Sequence, residues 1–135
     1  MSSEHIRWKQ RFDNFQRAFF RLQEAMEKTD LNELERNGLV QRFEFSLELC
    51  WKTIKDFLEY EGLDFKPTPK ETIREAFKAE LVTNARELIN ALDMRNELSH
   101  DYNGDKFSKY EQRFRQETFP AIKAVYDTFK SQLSE

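Results

Sequence analysis

Residues 7–26 read RWKQRFDNFQRAFFRLQEAM, and the apolar members Trp8, Phe12, Phe15, Phe19, Leu22 and Met26 recur at alternating steps of four and three. An α-helix returns side chains three and four apart to the same face, so this spacing predicts one long helix laying a single apolar stripe against its neighbours. Arg7, Lys9, Arg11, Arg17 and Arg21 fill much of its remaining surface. The composition extends the inference to the whole chain. Three Gly and three Pro among 135 residues are too few for the turns of a β-rich protein, whereas 35% charged and 14% aromatic residues suit helices with solvated backs and a bulky core. The fold class expected is therefore all-α, and a mass of 16.3 kDa fits a single domain over residues 1–135.

Outward from that stretch, the signals divide the chain. Residues 31–37 read as a further turn or a short helix, and Asn37-Gly38 offers a flexible corner. From Leu39 a second stripe runs through Val40, Phe43, Leu47, Cys50, Ile54 and Phe57, and Phe45, Leu49, Trp51 and Leu58 widen it, predicting a central helix that ends at Glu61-Gly62. Thr68-Pro69-Lys70-Glu71 is a start signal, with Thr68 and Glu71 spaced for a capping box and Pro69 suited to the first helical position. A short helix through Ile73, Ala76 and Phe77 follows, then a fourth helix beginning near Ala85 with Thr83 or Asn84 as its cap. The last segment carries Phe107, Tyr110, Phe114, Phe119, Ile122, Tyr126, Phe129 and Leu133, and Pro120 must kink or restart its helix. The expected architecture is an antiparallel, up-and-down bundle of four long helices plus one short one.

Several function classes fall away on composition. A lone cysteine forms no intramolecular disulfide, no apolar run approaches the roughly 20 residues of a membrane span, and the charged N-terminus lacks a secretory leader's apolar segment. A cytoplasmic protein with no membrane contact is expected. A net charge of −3 gives no global basic field, so any nucleic-acid contact must come from a local patch. Of the two histidines, His5 precedes the established helix and reads as solvent-exposed, and Cys50 reads as a small core hydrophobe.

The fourth helix is where the pattern changes. Its stripe begins with Ala85, Leu88 and Leu92, and the same steps then land on Arg95, Ser99 and Tyr102. Such a stripe must face water, a cleft or a polar partner, because an unpaired buried guanidinium is very costly. By pattern alone Arg95 and His100 fit a surface ion pair, with Asp93 or Glu97 as the opposite charge, or a complement to the helix dipole. Five residues rotate about 140° around an ideal helix. Arg95 and His100 converge on one substrate only if the helix ends near Ser99 or a second copy of the chain supplies the missing group.

Arg95-Asn96-Glu97-Leu98-Ser99-His100-Asp101-Tyr102 resembles the Arg-x-x-x-x-His signature of the HEPN superfamily, and its extension to His-x-Tyr resembles the branch associated with minimal nucleotidyltransferases. The block from Gly38 to Asp56, GLVQRFEFSLELCWKTIKD, is similar to the second-helix block of that branch, described as nucleotidyltransferase substrate-binding proteins. The resemblance covers most of the chain from Leu31 onward. It implies a HEPN-like helical bundle forming a homodimer, with the two motifs facing across a cleft. It further implies a toxin that is a metal-independent endoribonuclease, restrained by a cognate nucleotidyltransferase antitoxin. In that reading His100 is the general base on an RNA 2′-hydroxyl and Arg95 holds the scissile phosphate, while Asn96 and Ser99 are supporting donors. Tyr102 is the modification target, silenced when the partner adds AMP to its hydroxyl, since a bulky anion there fills the cleft and repels RNA. No cofactor and no metal are expected.

Two readings from other classes stand beside it. The chain is a noncatalytic substrate-binding or partner subunit of a nucleotidyltransferase, with Arg95 and His100 on a nucleotide phosphate or at the partner interface; or it is a helical scaffold whose polar stripe sets dimer specificity. Tyr102 then reads as an aromatic lid at a helix end. Thirteen Phe account for packing, and none falls between Asn84 and Tyr102.

Overall fold

The computed structural model describes residues 3–100 and 105–134, and among these the chain is helical with no strand. Helix α1 spans Ser3–Met26, α2 Glu33–Tyr60, α3 Pro69–Lys78 and α4 Ala85–Leu98. A last helix runs from α5, Asp105–Arg113, through a π-helical turn at Phe114–Thr118 into α6, Phe119–Leu133. The all-α bundle of four long helices and one short one is thus as expected. Trp8, Phe12, Phe15, Phe19 and Leu22 are all buried, and α1 and α2 form an antiparallel hairpin in which Arg11 meets Asp56 and Arg42 meets the carbonyl of Arg21. Helix α6 runs back along α1, with Phe119 stacked on Phe19 and Phe129 beside Phe12.

Helix α2 is central, touching α1, α3, α4 and α6. It begins earlier than the turn signal at Asn37-Gly38 predicted. Asn32 accepts from the Glu35 N–H at 2.8 Å while the Glu35 carboxylate accepts from the Asn32 N–H at 3.0 Å, a complete capping box that starts the helix at Glu33. Asn37 and Gly38 are therefore interior helical residues, and the corner lies in residues 27–32, where Asp30 takes a φ of 53°. Arg115 of the π turn closes this corner, donating to the carbonyls of Met26 at 2.9 Å and Lys28 at 2.8 Å and so satisfying acceptors the end of α1 leaves open. Gly62, with a φ of 84°, follows the α2 cap at Glu61 as expected.

Other local expectations shift. Thr68 stands at the cap of α3 with Pro69 next, but its side chain makes no capping bond. Pro120 is accommodated without a break: the turn before it widens so that the Phe119 N–H reaches the Phe114 carbonyl five residues back. His5 is half-buried rather than solvent-exposed, its ring 5.0 Å from that of Tyr60 and 6.2 Å from that of Trp8. Phe45, expected to widen the core, is 59% exposed. Cys50 is buried, and burial pushes its thiol far above the ordinary value, so it is an inert core residue. No helix among the described residues is long and apolar enough to cross a membrane.

Candidate functional site

Helix α4 is placed by its own apolar seam and by an ion pair to α3, Lys70 to Asp93 at 2.8 Å. The seam does not stop where the three/four pattern turned polar. Leu88, Ala91, Leu92, Met94 and Leu98 are its buried residues, so the stripe passes one position to the side of Arg95. Arg95 therefore sits at the flank of the core, its side chain 21% exposed, and reaches α2 rather than open water.

Arg95 Nη1 donates to Glu48 Oε2 at 2.9 Å. Trp51 Nε1 donates to the same oxygen at 3.1 Å, and Lys52 Nζ lies 3.0 Å from Glu48 Oε1. Burial pushes the Glu48 carboxyl upward, but the bonds from Lys52 and Trp51 together with the charges of Lys52 and Arg95 outweigh it and hold Glu48 below its usual value. The partner of Arg95 is thus neither Asp93, which pairs with Lys70, nor Glu97, whose carboxylate accepts from the Tyr110 hydroxyl of α5. That bond holds the Tyr110 proton and raises its pKa. Gln41, Glu44 and Phe45 complete, with Glu48 and Arg95, the lining of a shallow open pocket.

The helix ends at Leu98, as convergence of Arg95 and His100 in one chain would require. The Ser99 N–H donates to the Arg95 carbonyl at 3.0 Å and its hydroxyl to the Asn96 carbonyl at 2.9 Å, so the Ser99 side chain closes the helix end. Asn96 is exposed on α4. His100 is exposed in the turn that follows and makes no hydrogen bond to Arg95. Tyr102 lies outside the described residues. The structure thus joins Arg95 to Glu48, Trp51 and Lys52 and leaves Asn96, Ser99 and His100 out of that network. Among the described residues no cluster of three His, Cys, Asp or Glu side chains could hold a metal ion.

Sequence reasoning missed Glu48 as the partner of Arg95 and Tyr110 as the partner of Glu97. A signal for Glu48 existed in Glu48-x-x-Trp51-Lys52, which puts an acid, an indole N–H donor and an ammonium on adjacent turns of one helix.

A search of curated proteins finds no match. The crystal structure of a protein from Thermus thermophilus is similar to this chain with a TM-score of 0.71 and 28% sequence identity, over 90% of this chain and 99% of that one. The family model described as "Nucleotidyltransferase substrate binding protein like" matches residues 10–131, a span that takes in both Glu48 and Arg95. The chain belongs to the nucleotidyltransferase substrate-binding-protein-like family.

Proposed function

We propose that this chain is the helical partner of a minimal nucleotidyltransferase, a single cytoplasmic HEPN-like domain acting as a homodimer, and that Arg95 and His100 are its RNA-cleaving groups. The observation that carries the reading is the setting of Arg95. Its guanidinium is half-buried and fixed through one nitrogen by Glu48, itself tied to Trp51 and Lys52, which leaves its other N–H donors for a phosphate. An imidazole exchanges protons near neutral pH, and His100 is solvent-accessible beyond the helix end. In the step proposed, the RNA 2′-oxygen attacks the adjacent phosphorus as His100 takes its proton. The 5′-oxygen leaves with a proton from water or from the second protomer's imidazolium, and a 2′,3′-cyclic phosphate remains. Asn96 and Ser99 are supporting donors at the helix end. Transfer of AMP from ATP to the Tyr102 hydroxyl by the partner, with pyrophosphate leaving, ends activity by placing an anion two residues along the chain from His100.

A second reading, the noncatalytic partner subunit, is favoured by one specific observation. Glu44 and Glu48 stand in the same pocket as Arg95, and their carboxylates oppose an RNA phosphate there. RNA-cleavage assays separate the two readings. The nuclease predicts cyclic-phosphate products from wild type and a loss of about 100-fold or more in both Arg95→Ala and His100→Ala. A wild type with no activity above blank leaves the noncatalytic subunit. Mass spectrometry after co-expression with the partner nucleotidyltransferase should find AMP on Tyr102, and an unmodified Tyr102 under active conditions removes that part of the reading.

A further inference from the structure

Beside the Arg95 pocket, a groove of about 630 Å³ runs between α1 and α2. Arg17 and Arg21 of α1 and Gln41, Arg42, Phe45 and Leu49 of α2 line it, and no described carboxylate does. In a chain of net charge −3, three guanidinium groups on one groove are a local reversal of sign. Their states differ. Arg42 is fixed by donating to the Arg21 carbonyl at 2.8 Å. Arg21 has no carboxylate partner among the described residues. Arg17 pairs with Asp13 at 2.8 Å, but both side chains are more than half exposed, a pair that an anion can displace.

Phe45 supplies what a charge cluster alone lacks. Seven phenylalanines are fully buried, whereas Phe45 is 59% exposed at the edge of the arginines. An aromatic ring left in water beside guanidinium groups is the pairing that single-stranded nucleic acids use, bases on the ring and phosphates on the cations. Phe45 and Gln41 also line the Arg95 pocket, so the groove and that pocket adjoin across these two side chains.

We infer that the α1–α2 groove binds a nucleotide unit, its base stacked on Phe45 and its phosphate held by Arg17, Arg21 and Arg42. This deepens the proposed function and rests on it for the larger ligand, a strand of RNA passing from the groove to Arg95; a free nucleoside triphosphate carries the same chemistry. The acidic residues around Arg95 make such a subsite useful, because binding is then held by the groove rather than by the pocket where Glu44 and Glu48 oppose a phosphate.

The test uses the full chain with His100→Ala to stop turnover, a fluorescein-labelled octauridylate and, separately, ATP, each titrated at two salt concentrations. Phe45→Ala should weaken the oligonucleotide about tenfold, within the range for losing one stacked base. Phe45→Trp should restore binding and Phe45→Leu should not. Arg17→Gln with Arg21→Gln should weaken binding and reduce the log–log salt slope by roughly 1.4, two phosphate contacts' worth for a single strand. Lys109→Gln on α5 should change nothing. ATP binding with the same variant pattern and no gain for the octamer identifies a free nucleotide as the ligand; tighter octamer binding identifies RNA. Wild-type affinity in the Phe45 and arginine variants, full binding by Phe45→Leu, or no binding of either probe overturns the inference. The two proposals fail separately. Binding without cleavage in the otherwise wild-type chain keeps the groove and sinks the nuclease, and cleavage with unchanged KM in Phe45→Ala keeps the nuclease and sinks the groove.

Discussion

Of the arginine–carboxylate pairs that reach α2 from neighbouring helices, two close at 2.9 Å: Arg11 to Asp56 from α1, and Arg95 to Glu48 from α4. Their distances are the same and their surroundings are not. The Asp56 side chain has no exposure, whereas that of Glu48 is 40% exposed. Around Asp56 the chain has built a closed arrangement, with Lys55 Nζ 3.2 Å from the second carboxylate oxygen and also 3.3 Å from Glu59, and Trp8 and Phe57 buried nearby along the hairpin. Around Glu48 one side is an indole and an ammonium and the other is an open pocket. The pair closed into the frame and the pair beside an open pocket differ in burial, which sets how much of the Coulomb attraction water removes.

The largest effect expected is on the buried pair. Arg11→Met leaves the Asp56 carboxylate buried with Lys55 alone, and breaking a buried pair costs about 3–5 kcal/mol. Urea denaturation should show a loss toward the lower end, since Arg11 is itself 32% exposed. Adding Asp56→Leu should recover most of it, because the uncompensated charge is then gone. A loss under about 1 kcal/mol in Arg11→Met would place this pair with ordinary surface pairs and break the contrast.

Arg95→Ala should change stability far less, by about 1 kcal/mol or below. Glu48 keeps Trp51 and Lys52 and is open to water, so no charge is stranded. The same substitution is the one that abolishes RNA cleavage in the proposed reading. A destabilisation matching that of Arg11→Met would make Arg95 a structural residue and remove the observation on which the proposed function stands.

Part of this is legible in the sequence and part is not. The α1 stripe from Trp8 to Leu22 is, because a three/four repeat of bulky apolar residues has one economical reading and every member is buried. The start of α2 is not, because Asn37-Gly38 is a strong turn signal in isolation, while the capping box at Asn32 and Glu35 starts a helix that carries both residues inside it. Phe45 reads as core because composition cannot say which flank of a wide stripe is covered. Arg95 stands out as the place where the pattern changes, but helical spacing offers it partners only within its own helix. Glu48 is 47 residues away, and a pair across two helices is invisible until both are packed. The phase of the α4 seam shifts for a related reason. One step of drift puts Met94 and Leu98 inside and Arg95 at the edge, a difference decided by how α4 lies against its neighbours.

The smallest effects expected are in pH dependence, and they separate Glu48 and the Tyr110–Glu97 contact from the proposed chemistry. The Glu48 carboxyl is held below its usual value by Lys52, Trp51 and Arg95 against the opposing pull of burial. A depressed carboxyl contributes stability above the unfolded value, about 4.3 for Glu, and loses it as pH falls through the folded value. The stability difference between wild type and Glu48→Gln should therefore be constant from about pH 5 upward and shrink below about 4. Tyr110 behaves in the opposite sense. Its proton is held by Glu97, so its pKa is raised, and what Tyr110→Phe removes is present below about 10 and lost as pH rises through the folded value. Between these limits neither group titrates. A bend in the cleavage profile between about pH 5 and 8 then belongs to neither Glu48 nor Tyr110, and general-base catalysis by a histidine is the chemistry that predicts one. A bend that instead follows acid below about pH 4 and vanishes in Glu48→Gln would move the working group from His100 to the Arg95–Glu48 pair.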